Sequence, residues 1–387
     1  MSRAVLADHV LFNECVYYLR EDLHKKNQGH ILDKEKQTFS CLSTTFHITK
    51  PWIFEKFTIY PSVEVILPAT KKSLLNFVKN PSWVNEAAFD HPHLFGEALS
   101  ALISFVTLRS VKSPRDGYGL RIESLENIPG HCLEEMAFTL PFLCAGPGAH
   151  DSRLEDATED QFIKEIQELI SNLEKLDENL YVFALEVIRL VQLSILVKRD
   201  DFGLAYLLLI SAIEAVSQKA IKRKSKKHEK EKEWEQLARS NPLFKELLDE
   251  YKDIRGRDKY LSDRFIEFIV TYSPSEEWEN IVKSRYAFMD REWNDFMQRS
   301  KHPSKMQKEE IENILKNAYQ YRSRFVHEGT QPPHKHPEAS FNKFFEVIET
   351  YDPISYHYKS ELCPTYELML GIAKTAISKW IKSKAMK

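Results

Sequence analysis

Phe202-Gly203-Leu204-Ala205-Tyr206-Leu207-Leu208-Leu209-Ile210-Ser211-Ala212-Ile213-Glu214-Ala215-Val216 is apolar nearly all the way round. A helix without a polar face belongs inside a bundle, where other elements cover each of its sides. The stretch is too short and too interrupted to cross a membrane. Between Asp201 and Lys219 the only charge is Glu214. Buried carboxylates seldom stand alone, so this helix asks for a cation from elsewhere in the chain.

A cation of the right kind lies later, on a helix predicted over residues 305 to 327. There Ile311, Ile314, Leu315, Ala318, Arg322 and Phe325 recur at steps of three and four, so Arg322 continues an apolar stripe. A guanidinium on a core-facing position needs a carboxylate or a ligand to satisfy it. Glu214 reaching Arg322 would do so, either orienting the arginine for a ligand or closing an ordinary buried ion pair.

The end of this helix reads Tyr321-Arg322-Ser323-Arg324-Phe325-Val326-His327-Glu328-Gly329, with an arginine five positions before a histidine. Gly329 suits the left-handed residue after a helix, and Pro332 and Pro333 prevent its continuation, so His327 falls in or just after the last turn. There the helix dipole favours imidazolium. Histidine can move protons near neutrality, and an always-charged arginine can hold a phosphate whose negative charge grows in a transition state. Spacing alone is not specific. Arg223 and His228 repeat it within Lys222-Arg223-Lys224-Ser225-Lys226-Lys227-His228, a charge run that reads as a solvated face.

The apolar helix ending in Ser-Ala-Ile-Glu-Ala, joined to the later Tyr-Arg-Ser-Arg-Phe-Val-His-Glu-Gly, resembles the HEPN superfamily, in particular its Apea-like branch associated with antiviral defence. The resemblance covers roughly residues 155 to 387. It implies an all-α helical bundle that dimerises so that two R-x4-6-H motifs face one cleft, and a metal-independent endoribonuclease activity. Arg322 and His327 match the motif's arginine and histidine, and Glu214 matches an acidic residue on an earlier bundle helix. Ser323 departs from the Asn, Asp or His common after the arginine, keeping a hydroxyl but losing reach and charge.

The activity implied is transesterification: the ribose 2′-hydroxyl attacks phosphorus, His327 moves the protons, and Arg322 holds the nonbridging oxygens, with Glu214 and Ser323 completing the catalytic group. Arg324 lies about 200° around the helix from Arg322 and faces solvent or a partner chain. Tyr319 and Tyr321 flank the site, to stack on a base or to pack in the core. A further RNA contact is expected along Lys219 to Lys232, at Lys222, Arg223, Lys226 and Lys227, unless that run is only a solvated linker face.

Composition agrees with a cytoplasmic globular protein. The chain has 387 residues, 43% hydrophobic and 29% charged, with a net charge of −3, so any nucleic-acid contact must be local. Cys15, Cys41, Cys132, Cys144 and Cys363 are scattered and include no C-x-x-C pair, which indicates neither a disulfide scaffold nor a zinc site. Asp90-His91-Pro92-His93 and the pair His334 and His336 hold metal-ligand types without a second cluster. No cofactor, metal or membrane is expected, and the start of the chain lacks an apolar signal region.

Ala145-Gly146-Pro147-Gly148 breaks regular structure, and an acidic helical sequence follows. The fold class expected is therefore α+β: a small mixed α/β domain over 1–148, then the helical domain over 155–387. In the first, residues 4 to 25 read as helix, 38 to 47 and 57 to 67 as strands, 71 to 79 and 94 to 108 as helices, and 136 to 142 as a strand. In the second, helices are predicted near 158–175, 178–198, 201–222, 226–239, 241–254, 260–272, 278–299, 305–327 and 364–385. By analogy with other defence proteins of mixed build, the first domain would sense a viral trigger or restrain the nuclease, and the expected partners of the protein are RNA, a second copy, and an antitoxin or a phage trigger protein. Two other readings stay open: a HEPN-like RNA-binding or dimerisation module without activity, and an unrelated helical protein in which Arg322 and Glu214 form a structural pair.

Overall fold

The computed structural model describes residues 8–28, 37–67, 71–85, 92–113, 125, 128–138, 154–224, 227–257, 260–282, 302–330, 344–352 and 357–386. The fold is α+β, with fourteen α-helices among the described residues and an antiparallel sheet near the N-terminus. Contacts divide the chain into two units, Met1–Ala212 with Ala373–Lys387, and Ile213–Ile372.

The first unit begins with α1 (Asp8–Cys15) and α2 (Glu21–Gln28), which bear out the helical reading of that region. Its sheet contains β1 (Phe39–Thr44), β2 (Trp52–Ile53), β3 (Thr58–Ile59), β4 (Val63–Leu67), β5 (Lys71–Lys79) and β6 (Val111–Lys112). The strand order is β2-β3-β5-β1-β6, and β4 shares an edge of β5 with β3. Residues 71–79 are thus a strand where a helix was expected. Leu74, Leu75, Phe77 and Val78 are all buried, because β5 is paired along both edges and covered on both faces. Such a strand loses its two-residue alternation and cannot be told from a buried helix by periodicity.

One face of the sheet carries α4 (Pro92–Thr107), after the short α3 (Ser82–Asn85). Helix α4 is a core helix: Leu94, Phe95, Ala98, Leu99, Leu102, Ile103, Phe105 and Val106 are all buried. At Gly96 a Cβ would lie 2.9 Å from the Cβ of Ser40, so only glycine allows this approach to β1. Packed on the other face, α5 (Gly130–Phe138) brings Met136 and Ala137 against Cys41, Val65, Leu67, Leu75 and Phe77. The strand expected from residue 136 is helical over its described part, and the rest of it lies outside the described residues. Burying a sheet's second apolar face needs a helix there, whatever the local preference.

The expected domain boundary between residues 148 and 155 is not where the contacts divide. Helices α6 (Asp156–Glu174) and α7 (Glu178–Val197) belong with the sheet, and α8 (Phe202–Ala220) and α14 (Tyr366–Ala385) each contain a point of division. A buried carboxylate explains why α6 is held. Glu159, with no exposed surface, accepts from the Thr49 amide at 3.0 Å, the Thr49 hydroxyl at 2.8 Å and the Trp52 indole at 2.9 Å. From α7, Arg189 reaches Glu97 of α4 at 2.9 Å, both side chains being buried, and donates to Gln192. Helix α8, read from the sequence as too short and too interrupted to cross a membrane, is, like α7, long and apolar enough to do so, yet 56% of the apolar window of α7 and 50% of that of α8 are buried within the protein, as in core helices.

The second unit contains α9 (Glu231–Ser240), α10 (Pro242–Arg257), α11 (Leu261–Tyr272), α12 (Trp278–Ile281) and α13 (Lys308–Glu328). All were expected, with boundaries shifted by a few residues. The helix read over 278–299 does not run on from its start: α12 stops at Ile281, where Val282 turns extended at φ −100° and ψ 105°, and residues 283–299 lie outside the described ones. One addition interrupts the helical half, a hairpin of β7 (Phe345–Asp352) and β8 (His357–Pro364). Phe345, Val347, Thr350 and Tyr351 favour strand.

Glu159→Ala should lower stability by about 3 kcal/mol, because three donors would lose their acceptor in a dry site. Chemical denaturation checks this, and Glu159→Gln, which keeps an acceptor oxygen, should lose less.

Candidate functional site

Helix α13 starts with a capping box between Gln307 and Glu310, and Gly329 closes it in the left-handed region at φ 66°. Ile311, Ile314, Leu315, Ala318 and Tyr321 are buried. The stripe read from the sequence is therefore the packed face, and His327 stands in the last turn as expected.

Glu214 and Arg322 meet. Arg322 Nη2 lies 3.1 Å from Glu214 Oε2, with side-chain exposures of 19% and 6%. The contact is an ion pair rather than an aligned hydrogen bond, since Glu214 Oε2 and Arg322 Nε both lack a hydrogen-bond partner among the described residues. Gln218 donates to Glu214 Oε1 at a long 3.4 Å. Burial pushes the Glu214 carboxyl above the ordinary carboxylate value, against the pull of the Arg322 charge and the Tyr319 hydroxyl. Tyr319, one turn before Arg322, has its ring 5.5 Å from that of Phe265. Its phenol is pushed up to about 12 by burial and by the Glu214 charge. The sequence placed Tyr319 near the site but held no sign that its hydroxyl would face Glu214.

His327 is not part of this cluster. Side chains five apart on one helix diverge by about 140° and are separated by about 7.5 Å along the axis. Arg322 is largely buried while His327 is exposed. Ser323 is half-buried on the same turn. Arg324 is exposed, as its angle required, and its guanidinium lies 5.7 Å from the centre of the Tyr321 ring.

Tyr321 corrects the reading that let it stack on a base. It is 4% exposed, packs with Ile348 and Cys363 of the hairpin, and donates its hydroxyl to Glu361 at 3.0 Å. Its ring is core, because the hairpin covers this side of α13. A second tie, from Asn317 Nδ2 to the Leu362 carbonyl at 3.0 Å, holds β8 along the helix.

The basic segment follows α8, and the carbonyls of Gln218 in its last turn and of Ile221 just beyond it accept from Arg264. Lys222, Arg223 and Lys227 are exposed, and Lys226 lies outside the described residues. Arg223 is engaged, donating to the Arg255 carbonyl at 3.2 Å with its guanidinium 5.9 Å from the Tyr260 ring centre. Among the described residues no group of three His, Cys, Asp or Glu side chains is gathered to hold a metal ion. His91, His334 and His336 lie outside them. Comparison with protein-family models, curated proteins and solved structures returns no match.

A carboxyl whose pKa is higher folded than unfolded keeps its proton longer in the folded state, so the stability linked to that proton falls as pH rises above the carboxylate range. Without Arg322 this effect grows. Arg322→Met should cost about 3 kcal/mol at pH 8 by leaving Glu214 charged and alone. The penalty should shrink as pH falls and Glu214 takes up a proton, which stability curves of the two proteins against pH will show.

Proposed function

We propose that the chain is an endoribonuclease that cleaves RNA by 2′-hydroxyl transesterification without a metal ion, at a cleft shared by two copies. The observation that supports this reading is the Glu214–Arg322 pair, which aims a guanidinium from the helix whose exposed last turn carries His327. Within one chain these two side chains diverge, so a second copy is needed to bring a histidine over an arginine. In the step itself the 2′-oxygen bonds to phosphorus and the bond to the 5′-oxygen breaks. The products are a 2′,3′-cyclic phosphate and a 5′-hydroxyl. One His327 accepts the 2′-proton, and the His327 of the other copy protonates the leaving oxygen. Arg322, held by Glu214, faces the nonbridging oxygens, and Ser323 adds a hydroxyl on the same turn.

A role in antiviral defence or a toxin–antitoxin pair rests on the HEPN resemblance alone. An RNA-binding or dimerisation module without cleavage is the second reading. It is favoured by the small exposure of Arg322, whose guanidinium is partly taken up by Glu214.

Purified protein incubated with total cellular RNA in excess EDTA should yield 2′,3′-cyclic ends. His327→Ala should cut the rate by about two to four orders of magnitude. An equal rate in the variant would remove His327 from the site, and intact RNA with both proteins would favour the second reading.

A further inference from the structure

The basic segment and the α9–α10 pair build a surface that the proposed cleavage group does not use. His228 lies flat on Trp234, with ring centroids 4.5 Å apart and planes 19° from parallel. Trp234 in turn meets Tyr251 edge-on at 5.3 Å, and Arg255 stands 5.5 Å from the Tyr251 ring centre. The imidazole is held in place, because its Nδ1 accepts from the Lys230 amide at 3.1 Å. Arg223 donates to the Arg255 carbonyl of α10 and His228 rests on Trp234 of α9, so both ends of the described basic segment meet the α9–α10 pair.

Two of the acidic groups here are already neutralised: Glu231 pairs with Arg255, and Glu235 with Lys252 at 2.8 Å. Lys222, Lys227 and Lys230 are exposed and form no salt bridge among the described residues, while Glu229 and Glu233 remain as exposed anions. His228 is itself exposed. A ring stacked on one face, pinned at its edge and open on the other, beside free cations, has the parts that single-stranded nucleic acid requires: a platform for a base and charges for its backbone.

We propose that His228, backed by Trp234, is a stacking platform for an unpaired base of single-stranded RNA, with Lys227 and Lys230 on the adjacent phosphates. This rests on the ribonuclease reading only for the choice of RNA. It makes a binding site of an Arg-His spacing that sequence treats as a solvated run.

The test is fluorescence anisotropy of the full chain with a labelled 2′-O-methyl-uridine dodecamer, which lacks the attacking hydroxyl, and with an abasic strand of the same length. Wild type should prefer the base-bearing strand by about tenfold. His228→Ala should erase that preference, His228→Phe should keep it, and Lys227→Ala with Lys230→Ala should flatten the salt dependence by about 0.7 in log–log slope per phosphate lost. Equal binding by wild type and His228→Ala would overturn the proposal. So would binding in which polyglutamate competes as well as RNA, or no binding of either strand. Cleavage of ordinary RNA is followed in parallel. Cutting together with equal binding by wild type and His228→Ala removes the platform alone, whereas platform binding without cutting removes the nuclease alone.

Discussion

A carboxylate on an apolar helix has to meet a cation before that helix can leave water, and much of the second unit depends on how Glu214 does so. Its partner, Arg322, comes from α13, so burial of the one fixes the rotation of the other. Once α13 is turned to present Arg322, its stripe of Ile311, Ile314, Leu315 and Ala318 faces the core. Tyr321 then meets the hairpin, and Arg324 and His327 are left in solvent. The pair lacks aligned hydrogen bonds, and burial raises the Glu214 pKa even with Arg322 beside it. Ion pairs of this kind contribute little net stability but are costly to break, which makes them determinants of orientation.

The first unit meets the same constraint in two other ways. Glu159 is met by three neutral donors, while Glu97 takes Arg189 inside a core of α4 and α7. Each tie joins elements far apart in sequence. Burying a charge near a helix start or in a helix middle therefore specifies which elements become neighbours, while the apolar surface around it supplies most of the driving force.

For the proposed chemistry, a single α13 is insufficient. The helix repeat that puts Arg322 toward Glu214 turns His327 about 140° away. In the proposed mechanism the acid–base work next to the guanidinium comes from a second helix of the same kind, which links association and activity. Hairpin β7–β8 matters here as a brace: through Tyr321 and Asn317 it holds the turn that carries the motif.

Much of this was legible in the chain itself. Period and caps located α6, α7, α8, α11, α13 and α14, and Gly329 announced the end of α13, because these signals act within a few residues. A lone glutamate on an apolar helix and an arginine on an apolar stripe pointed to each other by the cost of leaving either unpaired. What the sequence did not carry was any feature set by remote neighbours. Strand β5 was unreadable because two-sided burial erases alternation, α5 because the second face of the sheet demanded a helix, and the core role of Tyr321 because the hairpin, far along the chain, covers it. The flat stack of His228 on Trp234 belongs to the same class. Local sequence decides periodicity and termination, while only tertiary packing decides which face is covered, and so which side chains are left for chemistry.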